Sequence, residues 1–180
     1  MRSRILIGVA AAGGFIGTVY AANWAITKYG PVSVGFGLLA PAGVYFAGLA
    51  FTLRDIVHRT FGRLAVIAAI LGGAAASWQV SSTFAVASGV AFLSSELLDL
   101  AAYEAGRQLQ VGWIGRVIGS NVVGLTADSL IFLYMAFGSL SFLGGQMVGK
   151  FWMTLAALPV VLLLRRVLPD HDTDLVPEAA

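Results

Sequence analysis

The chain has no cysteine, which excludes disulfides, thiolate metal sites and cysteine nucleophiles. It is also poor in charge. Only 11% of its 180 residues are Asp, Glu, Lys or Arg, against about 25% in a soluble domain. The net charge of +2 is small and scattered, which argues against a nucleic-acid surface. His58 and His171 fall in separate polar segments and make no metal site. There is no Walker glycine loop, no His-Glu-x-x-His helix and no nucleophile elbow. Neither direct ATP use nor an enzyme is expected, and no cofactor.

What the chain does have is hydrocarbon. It is 58% hydrophobic, with a mean hydropathy of +0.86. Too few polar groups exist to cover a surface in water, so lipid is the expected solvent. The length accommodates about six spans of roughly 20 residues with short loops. Expected helices are 5–27, 34–53, 64–78, 83–107, 111–138 and 142–168. The fold class is therefore an all-α membrane protein with six transmembrane helices. Residues 1–168 are expected to form one six-helix transmembrane domain, and 169–180 a disordered cytoplasmic tail holding Asp170, Asp172, Asp174 and Glu178.

Arg2 and Arg4 before an apolar run imitate a signal peptide, with Val19-Tyr20-Ala21 as a cleavage site. The run continues through Asn23-Trp24 and is long enough to span, so it is read as a helix. Basic residues set the orientation. With the N-terminus inside, the inner segments hold Arg2, Arg4, Arg54, Arg59, Arg63, Arg107, Arg165 and Arg166, whereas the outer loops hold Lys28 alone. This places both termini in the cytoplasm.

Carboxylates stand inside two apolar spans. An ionised carboxylate in hydrocarbon costs several kcal/mol unless paired, wetted or neutralised. The fourth helix aligns Ser88, Phe92, Ser95, Glu96, Asp99 and Tyr103 on one face. The fifth aligns Asn121, Gly124, Asp128 and Phe132, and Gly124 leaves room for close approach. The sixth adds Gln146 and Lys150, four apart. Buried ion pairs that fix helix register are the plain structural reading. Such pairs seldom add stability over apolar packing, and intramembrane ionisable groups mark substrate or proton pathways. In the second span, Pro41 predicts a kink, Gly62 a helix stop, and Asp55 a pair with Arg59. Gly13, Gly17 and Ala21 form a small-residue face on the first helix, for packing within the chain or for docking a partner.

Several separated motifs together resemble the VUT family, the queuosine precursor transporters. They are Trp24 after Ala22-Asn23, Leu53-Arg54-Asp55-Ile56 running to Phe61-Gly62, and Ala87-Ser88 leading to Phe92-Leu93-Ser94-Ser95-Glu96-Leu97-Leu98-Asp99. Arg116, Ser120-Asn121-Val122-Val123-Gly124, Asp128-Ser129, Phe132 and Lys150 complete the set. The resemblance implies a bundle similar to the substrate-binding subunits of energy-coupling factor importers, but acting without an ATPase. It implies import of 7-cyano-7-deazaguanine or a related deazaguanine base across a prokaryotic plasma membrane, by facilitated or proton-coupled transport. This chain departs from the family by carrying Arg54 where many members have Thr, and by its trimmed outer loops.

A guanine-like edge offers a ring N–H and an amine side by side, and a carboxylate accepts both in a fork. Glu96 or Asp128 suits that role, and Lys150, Asn121 or Gln146 suits the ring carbonyl. Phe92, Tyr45 or Trp24 supplies an aromatic face, Asn23 adds a polar group, and Asp99 stands behind as support or proton carrier. The expected partners are the base and the bilayer, with no nucleic acid; a homo-oligomer or an energising module is left open. Two rival readings stay open: a substrate-capture subunit for an energising module, and a non-transporting scaffold whose acids pair fully with cations and leave no cavity.

Overall fold

A computed structural model describes residues 2–165, so the expected tail, Arg166 and His171 lie outside the described residues. The chain runs α1 (Arg2–Tyr29), β1 (Pro31–Gly35), β2 (Leu38–Pro41), α2 (Val44–Phe61), α3 (Arg63–Ser77), α4 (Ser82–Gln108), α5 (Trp113–Phe137) and α6 (Leu143–Arg165). Among the described residues, α1, α4 and the part of α5 from Ile118 to Phe137 are long and apolar enough to cross a membrane. The architecture is that of a mostly helical membrane protein. Side chains such as Leu6, Leu64, Leu97 and Val122 are exposed around it.

The second segment departs from expectation. Residues 31–41 form an antiparallel hairpin instead of the start of a helix. Gly30 ends α1 at φ 63°, and the amide of Ala42 donates to its carbonyl at 2.9 Å, closing the hairpin base. Pro31 and Pro41 are paired there, where strand ends tolerate missing donors. Gly35, Phe36 and Gly37 all have positive φ, so the turn demands glycine on both sides of a strained phenylalanine. Pro41 therefore kinks no helix.

α2 begins later than expected and also runs further, to Phe61, with Gly62 at φ 78° dividing it from α3. Arg54 is consequently a buried residue inside a helix, not part of a loop. Ser81 caps α4 by accepting from the amide of Phe84 at 3.3 Å. Gly138, at φ 63°, ends α5.

Without a strong hydrophobic drive in lipid, helices are held by close packing of small residues. A Cβ on Gly43 would lie 2.6 Å from the carbonyl oxygen of Ala22, and one on Gly48 would lie 2.6 Å from Cβ of Met153. These contacts draw α2 against α1 and α6. α4 packs most extensively on α5, with Gly124 against Asp99 and Ser95. Phe15, Val19, Val57, Ile70 and Phe92 form the central core. Gly13 and Gly17 meet nothing: the small-residue face of α1 is open rather than spent on internal packing.

Candidate functional site

The short connections at 78–81 and 138–142 and the hairpin share one end of the bundle. Near that end a pocket with about 420 Å³ of empty space, its open mouth included, lies between the helices. α1 contributes Val19, Asn23 and Ile26, and the start of α2 contributes Val44 and Ala47. Ser88 and Phe92 come from α4, Asp128 and Phe132 from α5, and Gln146 from α6. The lining is mostly apolar with a few converging polar groups, the composition of small-molecule sites.

Asn23 is fully buried, and its Nδ2 donates to Oγ of Ser88 at 3.0 Å. The Ser88 hydroxyl in turn donates to the carbonyl of Phe84, one turn earlier in α4. The second hydrogen of the Asn23 amide is left for another acceptor. Across the pocket, Lys150 Nζ donates to Oδ2 of Asp128 at 2.5 Å and to Oγ of Ser129 at 2.7 Å. The Phe51 ring centroid lies 5.5 Å from the same ammonium. Lys150 is 1% exposed, so its charge is enclosed and matched. Among the described residues, Oδ1 of Asp128 and Oε1 of Gln146 are buried and accept no hydrogen bond. Burial without a partner costs about 1–3 kcal/mol per group. These are two acceptors awaiting donors.

Asn23, Phe92, Asp128 and Gln146 are thus brought together. Lys150 stands behind Asp128 and holds it, rather than facing the pocket. Glu96 lies one turn beyond Phe92, where Arg54 Nη1 approaches its Oε2 at 3.0 Å without hydrogen-bond alignment. Arg54 also makes a fork on Asp55, with Nε at 3.1 Å and Nη2 at 2.8 Å from Oδ1. Asp99 packs against Gly124 with a buried, unpartnered Oδ1. Asn121 is exposed on α5 beside exposed Val122 and Val123. Tyr45 donates its hydroxyl to the carbonyl of Ser33 at 3.3 Å, tying α2 to the hairpin. Trp24 is exposed, with Lys28 over its ring. The structure brings none of Glu96, Asp99, Asn121, Lys150, Tyr45 or Trp24 to the pocket wall.

Ser88 and Phe132 join the wall although neither was singled out as a contact residue. Their signal was present: Ser88 is four residues before Phe92, and Phe132 four after Asp128. Arg54 as the partner of Glu96 carries no such signal, because it lies just past the expected helix end at residue 53.

No curated protein and no solved structure matches this chain. A family model described as "Putative vitamin uptake transporter" matches residues 75–164. The match takes in α4, α5 and all but the last residue of α6, and with them Ser88, Phe92, Asp128, Phe132, Gln146 and Lys150. It covers half of the 180 residues. A membrane-type helical bundle with a buried pocket fits a transporter of small molecules, and the chain belongs to the vitamin uptake transporter family.

Proposed function

We propose that the chain imports a queuosine precursor, 7-cyano-7-deazaguanine or a related deazaguanine base. The observation that carries this reading is the pair of buried, unpartnered acceptors on residues that line the pocket, Oδ1 of Asp128 and Oε1 of Gln146. A guanine-like edge presents a ring N–H and an exocyclic amine, donors of the kind these two oxygens lack. The free hydrogen of the Asn23 amide suits the ring carbonyl, and Phe92 and Phe132 offer apolar faces to a flat ring. Because Lys150 already occupies Oδ2, a single oxygen of Asp128 serves the ligand, assisted by Gln146, in place of a two-oxygen fork.

In this reading all six helices cross the plasma membrane of a prokaryote, with both termini cytoplasmic. Even with Arg54 withdrawn into α2, Arg59, Arg63 and Arg107 stay at the end opposite Lys28. The pocket then lies toward the outer side. Import runs by facilitated or proton-coupled transport, with no nucleotide-binding motif in the chain.

The test is a thermal-shift panel of deazaguanines, purines and vitamins on detergent-purified protein. A ligand at a hundred times its dissociation constant adds roughly 2.7 kcal/mol of stability. Uptake of labelled base by cells unable to make it completes the test. A panel in which only vitamins shift the transition overturns the substrate assignment.

The open face of Gly13 and Gly17 favours a second reading, a substrate-capture subunit that docks an energising module there. Undiminished uptake in a host lacking any such module ends that alternative.

A further inference from the structure

Among the described residues, three polar contacts across the interior join the same two groups of helices. Asn23 of α1 meets Ser88 of α4, Arg54 of α2 meets Glu96 of α4, and Lys150 of α6 meets Asp128 and Ser129 of α5. α4 and α5 are packed closely on one another, while α2 packs on α1 and α6. α2 and α4 are not packed backbone to backbone along their length. Side chains connect them across the seam, and the pocket lies on that seam.

On the side away from the hairpin, two layers close the pocket. The first is aromatic: Phe92 sits 5.5 Å, centroid to centroid, from both Phe15 and Phe51. The second is ionic, one turn further along α4, where Arg54 and Glu96 have side chains 7% and 8% exposed. The Phe51 ring touches both levels, 5.2 Å from the Arg54 guanidinium and 5.5 Å from the Lys150 ammonium.

The two arms of Arg54 are unequal. Its aligned hydrogen bonds go to Asp55, the next residue on its own helix. Its contact with Glu96 is close but poorly aligned. When α2 and α4 part, Arg54 keeps Asp55, whose side chain is 48% exposed and reaches water. The guanidinium therefore keeps a counter-ion, and the charge that opening leaves unpaired is that of Glu96, which the water admitted along the parted seam must solvate.

We propose that Arg54 is the latch of an inner gate, closing on Glu96 beneath the Phe51–Phe92 layer and releasing it to let the pocket's occupant leave at the far end. The proposal rests on the transporter reading, but not on the identity of the substrate. Other charged groups near the latch are Asp55 on α2 and Asp99 on α4; α5 presents Gly124 at this level.

A chain without cysteine allows a direct test. Ala47, on the pocket wall, is changed to Cys, and an impermeant maleimide is added to sealed vesicles from one face or the other. No substrate enters the measurement, so failure of the deazaguanine reading leaves it interpretable. In Ala47→Cys with Glu96→Gln, labelling from the face opposite the hairpin rises about tenfold, as expected from loss of one charge-assisted contact. Arg54→Lys keeps the cation but loses the fork on Asp55, so its far-face labelling falls between the parent and the neutral variants. Labelling from the hairpin face reports that each variant is folded, and Arg54→Gln asks the same question if Glu96→Gln does not fold. Unchanged far-face labelling in both neutral variants overturns the gate.

Discussion

Lys150 and Asp128 join α6 to α5 through one carboxylate oxygen, with the ammonium 2.5 Å from Oδ2 while Oδ1 is left without a partner. The pair is thus structural on one side and available on the other. Removing the cation alone leaves a buried carboxylate uncompensated, at a cost of about 3–5 kcal/mol. Lys150→Met is therefore expected to lower thermal stability sharply. Adding Asp128→Asn to it restores most of the loss, because no isolated charge remains. Ligand binding stays lost in the double variant. Melting curves of the two singles and the double give the answer: a double variant less stable than Lys150→Met removes the ion-pair account.

Gln146 should behave in the opposite manner. Its Oε1 is buried and accepts nothing among the described residues, so the empty protein gains little from it. Gln146→Leu is expected to leave the melting temperature unchanged or raise it, while weakening base binding. Loss of one hydrogen bond to a ligand donor is worth about 1 kcal/mol or more, hence roughly a fivefold to tenfold rise in Kd. Equilibrium binding and thermal unfolding on the same preparation separate the two effects. Equal binding by both proteins would take Gln146 out of the recognition edge.

These contrasts also show which parts of the molecule were legible in the amino-acid order. Asp128, Gln146 and Asn23 stand out because a polar residue within an apolar run is conspicuous, and helical spacing puts Asp128 on a face with Phe132. The hairpin was hidden because Leu38, Leu39 and Ala40 suit a span as well as a strand. Only the Val32 and Val34 alternation between Gly30-Pro31 and the Gly35-Phe36-Gly37 turn marks it. Glu96 is conspicuous for the same reason as Asp128, but its destination depends on Arg54. That residue follows an apolar run and precedes Asp55, His58 and Arg59, so it looks like the start of a solvated loop. Burial of Arg54 is a tertiary outcome: its helix continues, and Glu96 and Asp55 compensate its charge. Asn121 shows the converse error, since a shared face with Asp128 does not ensure that another helix covers that face at both levels.

Ser88 is the acceptor that occupies one hydrogen of the fully buried Asn23 amide. Ser88→Ala removes that acceptor and opens no sizeable void, so an unpaired donor is the main consequence. A loss of about 1–3 kcal/mol is expected. Asn23→Leu together with Ser88→Ala removes both polar partners and should recover much of the loss, because replacing both by apolar groups can be nearly neutral. Thermal unfolding of the three variants tests this, and a strictly additive double variant would show that the two side chains do not depend on each other.

Gly145 shows how tightly the hairpin is seated. A Cβ at this position would fall 1.9 Å from the carbonyl oxygen of Leu39 and 2.5 Å from its carbon, closer than any side chain tolerates. Both obstacles are backbone, so no rotamer change relieves them, and β2 must lift away from α6. Other contacts between the hairpin and α6 include Trp152 Nε1 donating to the carbonyl of Val34 at 3.2 Å and the stacking of Phe36 on Trp152. Gly145→Ala is expected to break this seating at a cost of about 1–3 kcal/mol, the usual penalty for overpacking. The adjoining Gln146 lines the pocket, so the shift also reaches the site. Binding should weaken together with faster hydrogen exchange of the hairpin amides, whereas α3 and the middle of α4 keep their protection. An unchanged exchange pattern in Gly145→Ala would mean that the hairpin is not held against α6 in the folded protein.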